Sequence, residues 1–261
     1  MVNKKNKIVV TLFVFIIIFL GVLFFCLKDE NKQVLKEYDS KTGKTSQYEY
    51  FVKNGDTILQ GKYEQYNKEG KKIAEGNYMN NQLKGKFITY FDNGKIESMQ
   101  YVVKGKVNAE NIEYNSNGKI KRYIMFDPFG LEAFIARYDE SGVIKTYEGY
   151  PLMEIYQYKI ANKKQFGNTS NQILKKNGTL QYNYLIANIP NAKRSFKIEN
   201  IGLDNSKIKR ISKQVSPTEV YINEVLVKKG INTIRATVQY KFNDKKTTIL
   251  NDTITFQVEV H

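Results

Sequence analysis

The sequence predicts an all-β protein: an N-terminal transmembrane helix, then an elongated antiparallel β-meander of repeats, then a β-sandwich. Three observations predict this class. A tyrosine stands four residues before a glycine in four copies spaced 24 residues apart. Turn-forming residues recur about every 12 residues, with alternating apolar and polar residues between them. The composition, with 19 Tyr and 15 Phe but only 4 Pro, favours strands.

The first element is an uncharged stretch of 20 residues, 8–27, which follows Lys4, Lys5 and Lys7. That length is sufficient for a helix to cross a bilayer. It exceeds the apolar core of a cleavable signal peptide, and no A-x-A-like cleavage site follows it. Because flanking lysines stay in the cytoplasm, we expect residues 28–261 to lie outside it, in the periplasm or on the cell surface.

Cys26 leaves two alternatives to an uncleaved anchor. A lipoprotein would be cleaved before this cysteine and lipidated on it, although Phe25 occupies the position where a small residue is usual. The segment could also be cleaved and the chain released. The simplest role for Cys26 is that of a small apolar residue at the end of a membrane helix.

Residues 28–37 are polar and charged, and they are interpreted as a spacer between the membrane segment (1–27) and a repeat array (38–149). The repeat pairs that define the array are Tyr66 with Gly70, Tyr90 with Gly94, Tyr114 with Gly118, and Tyr138 with Gly142. Turn signals at half the period divide each 24-residue unit into two strands and two turns. Asn-Gly pairs such as Asn54-Gly55 supply the positive φ that tight hairpins need.

The period also predicts how the array is stabilised. One hairpin cannot bury its own apolar face, so neighbouring hairpins must associate. The tyrosine before each turn should point to the same face in every copy, forming an aromatic ladder that stabilises the array. The same face could also bind a partner. Gly61-Lys62-Tyr63 and Gly85-Lys86-Phe87 repeat in the same phase.

The G-x-Y/F and Y-x-x-x-G motifs resemble the MORN-repeat variant found in many bacterial proteins, some of which are antitoxin-like components of toxin–antitoxin systems. The resemblance covers about residues 38–145. It implies an elongated, single-layer β-sheet that serves as a scaffold or interaction surface for membrane lipid or protein. The chain departs from the family in lacking tryptophan and in carrying a membrane segment that a cytosolic antitoxin would not need.

Residues 150–261 show a different pattern. Alternating runs at 180–184, 234–242 and 254–260, with shorter ones between, indicate about seven short strands in about 110 residues. This density fits an immunoglobulin-like β-sandwich. The disulfide and tryptophan of antibody domains are missing, so the prediction rests on alternation and length.

The residue inventory points away from catalysis. The single histidine, His261, is the last residue, and the single cysteine lies in the membrane segment, which disfavours nucleophilic triads and zinc sites. No phosphate-binding glycine loop is present. We therefore predict no catalytic residues, no metal and no cofactor. Carboxylate pairs are the remaining device, and the pairs that could be nominated are Glu110 with Glu113 and Asp139 with Glu140.

The net charge of +15 is concentrated in the C-terminal region, where residues 150–261 hold 18 Lys and Arg against 8 Asp and Glu. Such a surface could attract anionic lipid or a polyanionic surface polymer, whereas nucleic acid is not expected outside the cytoplasm. The candidate docking residues are Lys193, Arg194, Lys197, Lys207, Lys209 and Arg210. The alternative is that these residues form the solvated outer face of a sandwich strand.

These observations predict a non-enzymatic, membrane-anchored envelope protein that acts as a scaffold or binding module for a protein or a polyanionic surface. The alternative is an antitoxin or immunity-like protein that neutralises a partner toxin. A hydrolase acting through paired carboxylates is a third reading.

Overall fold

The computed structural model describes residues 32–104, 107–155, 174–243 and 250–261. These residues form eighteen strands and one short 3₁₀ helix, and every strand pairing is antiparallel, so the predicted all-β class is confirmed. Within these ranges no helix is long and apolar enough to cross a membrane. The predicted membrane segment 8–27, including Cys26, lies outside the described residues.

Eleven strands form one sheet, the array sheet. They follow one another in chain order, except that β5 pairs only with β4, so the predicted meander is confirmed. The strands are β1 (Gln33–Asp39), β2 (Lys44–Lys53), β3 (Asp56–Tyr66), β4 (Lys72–Met79), β5 (Gln82–Leu83), β6 (Gly85–Tyr90), β7 (Ile96–Lys104), β8 (Val107–Tyr114), β9 (Ile120–Phe126), β10 (Glu132–Tyr138) and β11 (Ile144–Gly149).

The first strand begins earlier than the sequence indicated. β1 starts at Gln33, so the second half of the predicted 28–37 spacer, from Gln33 to Glu37, pairs with β2. The side chains of β1 are nearly all exposed, and three of them, Lys36, Glu37 and Asp39, are charged. Charged residues are typical of an edge strand because they hinder pairing with other chains. In β1 they also remove the apolar alternation that would have predicted a strand from the sequence.

The array contains two-residue turns and longer turns, and the turn between β9 and β10 is of the longer, five-residue kind. At one end of the sheet, two-residue turns join strands, as at Asn54-Gly55, where φ is 53° and 88°. Asn80-Asn81 repeats this geometry with φ of 49° and 63°. These positive values match the primed hairpin turns predicted from the Asn-Gly signal. At the other end lie the longer turns that follow the repeat tyrosines.

A β-bulge recurs with the same 24-residue period. In four hairpins the register slips by one residue next to the repeat tyrosine, leaving one extra residue on the following strand. A bulge re-aims the extra side chain and strengthens the local twist. The four bulged residues are Ile73, Glu97, Lys121 and Lys145.

The C-terminal strands form two further sheets, together called the two-sheet unit. One sheet has the order β12-β13-β16-β15 and the other the order β14-β17-β18. A 3₁₀ helix, Asn205–Lys207, precedes β15. The strands are β12 (Leu152–Ile155), β13 (Thr179–Ile186), β14 (Ala192–Asn200), β15 (Arg210–Gln214), β16 (Glu219–Val225), β17 (Gly230–Phe242) and β18 (Leu250–Val260).

Both sheets of this unit face a common core. The ring of Tyr182 in β13 contacts Phe256 in β18 at 5.6 Å between centroids, and Tyr184 contacts Phe196 in β14 at 5.4 Å. The same hydrophobic cluster continues into the array sheet. The array residues that belong to it are Tyr123, Met125, Phe134 and Ala136. The last strands of the array are therefore packed on the two-sheet unit.

The face of the array sheet that contacts the two-sheet unit is called the inner face, and the opposite one the outer face. One row of directly paired residues crosses the inner face from β3 to β10. It is charged at its start and apolar at its end: Glu64, Glu75, Ile88, Met99, Ile112, Tyr123 and Ala136. Only the end of this row, from Ile112 to Ala136, contributes to the core shared with the two-sheet unit.

Candidate binding surfaces

Each repeat tyrosine ends a strand on the inner face, and the next residue opens a five-residue turn. In the first copy the Gly70 amide donates to Asn67 O at 2.9 Å, and the Asn67 amide donates to Lys71 O at 2.9 Å. The glycines of the four copies have φ between 75° and 89°. That left-handed conformation favours glycine, which explains the fixed spacing between tyrosine and glycine.

The tyrosines of the first two copies belong to a charged cluster on the inner face. Glu64 and Glu75 are directly paired across β3 and β4, an unfavourable position for like charges. The Lys72 ammonium lies between them, 3.5 Å from Glu64 Oε1 and 2.5 Å from Glu75 Oε2. Tyr66 donates its hydroxyl to Glu64 at 3.1 Å, and Tyr90 donates to Glu75 at 2.6 Å.

These contacts set the charge state of the cluster. The hydrogen bond from Lys72 lowers the pKa of Glu75. Burial, together with the bond to Glu75, raises the pKa of Tyr90 to about 12. Glu75 is therefore ionised at neutral pH and Tyr90 is protonated. A general acid needs a raised pKa, so Glu75 is a poor candidate for that role.

Contacting aromatic rings lie on the outer face. Tyr48, Tyr63 and Tyr78 are mutually in contact with centroid distances of 5.1 to 5.8 Å, and Tyr63 stacks on Phe87 at 6.2 Å. Gly76 pairs with Tyr63, and a Cβ atom placed on it would lie 2.8 Å from the Phe87 ring. Glycine at this position therefore lets the two rings close over the backbone.

The repeat tyrosine of the fourth copy serves the junction with the two-sheet unit. Tyr138 is half-buried and donates its hydroxyl to Pro190 O at 3.3 Å. Beside it, the buried Tyr123 hydroxyl accepts the Asn188 amide at 2.6 Å and donates to Glu110 at 3.3 Å. Burial raises the pKa of Glu110, which is only 7% exposed. The junction is thus a closed polar network surrounded by core residues.

The two arginines of the sequence-predicted docking patch point into the two-sheet unit. Arg194 donates to Ile186 O at 2.9 Å and also reaches the carbonyls of Ala187 and Pro217. Arg210 forms an ion pair with Glu224 at 2.7 Å, and the Glu224 side chain is completely buried. Both guanidinium groups therefore have internal partners.

The four lysines of that patch are exposed. Lys197 pairs with Glu199 at 2.8 Å, and Lys207, in the 3₁₀ helix, pairs with Asp204 at 3.3 Å. Lys193 lies on the same exposed side of β14 as Lys197, whereas Lys209 comes just before β15. The lysines are thus divided between strand β14 and the segment that precedes β15 in the other sheet, and their docking role stays a prediction.

A second cationic surface lies on the array sheet. An open groove of about 630 Å³ is formed where β8 to β11 run side by side; it is called the cationic groove. Its lining residues are Glu113, Lys121, Arg122, Arg137, Tyr138, Lys145 and Thr146. Sequence reasoning missed it because its cations come from three strands. The signal that could have revealed it is the pair Lys121 and Lys145, which share one repeat position.

The structure separates the carboxylates that were nominated for catalysis. Glu110 lies on the inner face in the closed network, and Glu113 on the outer face binds Arg122 at 2.7 Å. Asp139 accepts amide hydrogen bonds within its own turn, and Glu140 is an exposed turn residue. Across the described ranges, no three His, Cys, Asp or Glu side chains are placed to hold a metal ion.

Comparisons with known proteins find little similarity. No protein family and no curated protein matches the chain. Among solved structures, a mutant of S. aureus TarM in complex with fondaparinux, alpha-GlcNAc-glycerol and UDP is 12% identical over 40% of this chain, with a TM-score of 0.22. A further TarM crystal structure is 14% identical over 40%, also with a TM-score of 0.22. The chain spans 22% of the length of these TarM chains, and similarity at this level supports no inference.

Proposed function

We propose that the chain is a non-enzymatic envelope protein, anchored through residues 8–27, whose array sheet is a scaffold or binding module for a protein or polyanionic surface outside the cytoplasm. The proposal rests on the observation that the two-sheet unit packs on only one end of the array sheet. From β1 to β6 nearly all side chains remain half-buried or exposed, whereas β9 and β10 contribute to the core shared with the two-sheet unit. The end of the sheet formed by β1 to β6 is therefore accessible to a partner, whereas the end formed by β9 and β10 is packed against the two-sheet unit.

The strand arrangement supports the finer parts of the proposal. The orders β12-β13-β16-β15 and β14-β17-β18 correspond to the ABED and CFG sheets of an immunoglobulin constant-type domain. The chain-order meander of hairpins, each ending in the tyrosine–glycine turn, is what a MORN-like array would form. We therefore propose a MORN-like array joined to an immunoglobulin-like domain.

The state of the carboxylates favours binding over acid–base catalysis. Burial raises the pKa of the Glu110 carboxyl, as a general acid would require. It is enclosed by Tyr123 and Asn188, so a substrate has no access to it. The paired Glu64 and Glu75 share the ammonium of Lys72.

Site-specific photo-crosslinking in native envelopes tests the proposal. A photoreactive side chain would replace Val52 in β2 or, as the matched control, Ile211 in β15, because both are exposed apolar residues at 56% and 70%. We expect cross-links from position 52 that excess unlabelled full-length chain competes away. Cross-links from position 211 alone, or none from either position, would contradict a binding role for the open half of the array.

A further inference from the structure

We propose that the cationic groove is the docking site for a linear phosphate-bearing polymer, which lies across strands β9 to β11. The inference rests on the proposed binding function and gives it a site and a ligand class. It also moves the anion-binding surface from the two-sheet unit, where the sequence predicted it, to the array sheet.

The repeat geometry builds the groove. Arg122, Arg137 and Thr146 are directly paired across β9, β10 and β11 on the outer face. Lys121 and Lys145 are the bulged residues that precede Arg122 and Thr146. Because a bulge re-aims the extra side chain, both lysines line the groove together with the outer-face residues. Neighbouring strands are about 4.8 Å apart, so the two lysines stand roughly 10 Å apart.

The groove carries more positive charge than its own acids neutralise. Four cationic side chains line it, and Glu113 is the one carboxylate among the described lining residues. Glu113 binds Arg122 through two hydrogen bonds of 2.7 and 3.1 Å, and Arg137 pairs with Glu148 at 2.7 Å. Both lysines are exposed. The surplus charge therefore belongs to ammonium groups.

This distribution favours phosphate as the ligand. The planar guanidinium of an arginine can bind either carboxylate or phosphate, and in this groove both arginines already pair with carboxylates of the same chain. Lysine acts as a point charge that binds phosphate oxygens without a fixed plane. Two ammonium groups on β9 and β11, two strand spacings apart, suit a polymer with regularly spaced phosphates.

The first two repeats do not build such a groove. The bulged residues equivalent to Lys121 and Lys145 are Ile73 and Glu97, one apolar and one acidic. The bulge position therefore carries a cation only in the last two copies. The outer side of β9 to β11 therefore carries the cations of the proposed binding site. The inner face of β9 and β10 packs against the two-sheet unit.

Binding of the full-length chain, in a neutral detergent, to fluorescently labelled inorganic polyphosphate tests the inference. The double variant Lys121→Gln with Lys145→Gln should raise Kd by about tenfold or more at low salt, and lower the slope of log affinity against log salt by about 2. The control, Lys193→Gln with Lys197→Gln, removes the same charge from the sequence-predicted patch and should change Kd less than about twofold.

The other outcomes separate the site from the function. Equal losses in the two double variants, or a loss in the control alone, would overturn the groove while leaving polyanion binding in place. Tighter binding to polyglutamate or to anionic phospholipid vesicles than to polyphosphate would overturn the ligand class. Wild-type protein that does not bind polyphosphate would overturn the inference, and the photo-crosslinking experiment would still decide the binding function. Circular dichroism melts of both variants should match wild type, because all four lysines are exposed.

Discussion

Replacing Arg210 by methionine tests whether this residue stabilises the two-sheet unit or belongs to a docking surface. The guanidinium donates to Glu224 at 2.7 Å, to Asn200 Oδ1 at 2.6 Å and to Ile198 O at 3.0 Å. The side chain of Arg210 is 15% exposed and that of Glu224 is 0% exposed. Methionine keeps much of the apolar volume and removes the charge and every hydrogen bond.

The expected loss is set by the carboxylate left behind. Removing one partner of a buried ion pair costs about 3–5 kcal/mol because the other charge stays buried and uncompensated. Glu224 keeps hydrogen bonds from Tyr182 at 2.7 Å and Asn200 at 2.6 Å, which places the expected loss near the lower end, about 3 kcal/mol. Adding Glu224→Gln removes the buried charge, so the double variant should recover about half of the loss or more.

Urea denaturation followed by near-ultraviolet circular dichroism measures these differences, because the chain has 19 tyrosines and no tryptophan. The midpoint should fall for Arg210→Met with little change in slope. Lys209→Met, at an exposed neighbour, should stay within about 0.5 kcal/mol of wild type. If Arg210→Met keeps wild-type stability and instead weakens polyphosphate binding, the structural assignment of Arg210 is wrong.

Three further predictions concern the array and its junction. Gly76→Ala should lower the free energy of unfolding by about 1–3 kcal/mol, because the new methyl group would lie 2.8 Å from the Phe87 ring; wild-type stability would show that the rings move aside at no cost. Tyr123→Phe should cost about 1–3 kcal/mol in denaturant titrations, since it leaves buried partners unpaired, and Tyr138→Phe should cost less because its 3.3 Å bond is weaker. Burial raises the pKa of Glu110 above its usual 4.5, so the folded state binds this proton more tightly than the unfolded chain. The contribution of Glu110 to the free energy of unfolding is therefore present below pH 4.5 and is lost as pH rises through the raised pKa. In Glu110→Gln, the free energy of unfolding should no longer fall with pH over this range. The same pH dependence of unfolding in wild type and Glu110→Gln would contradict the raised pKa of Glu110.

The periodic features were predictable because local chemistry determines them. The tyrosine–glycine spacing is fixed by a turn whose glycine needs positive φ, and Asn54-Gly55 forms the hairpin that its sequence indicates. The inward direction of Arg194 was also present in the sequence. It alternates in phase with Phe196 and Ile198, whereas Lys193 alternates with the exposed residues. Alternation assigns a side chain to a face more reliably than local charge density does.

Other features depend on pairing between distant strands. The bulges that place Lys121 and Lys145 beside Arg122 appear only once the register of β8 to β11 is known. The buried role of Glu110 depends on Asn188, which lies 78 residues further along the chain. The strand β1 was concealed because an exposed edge strand lacks the apolar alternation by which strands are recognised.

The inner face shows how one backbone repeat supports two different roles. Where the paired row carries Glu64 and Glu75, the ammonium of Lys72 satisfies the face and another layer would have to bury charge, which is costly. Where the row carries Tyr123 and Ala136, the face is apolar and is buried against the two-sheet unit. The side chains therefore determine which half of the sheet is covered. A partner of the charged half would have to bind through polar contacts at its surface, and this requirement favours a protein or polymer with charged groups over an apolar ligand.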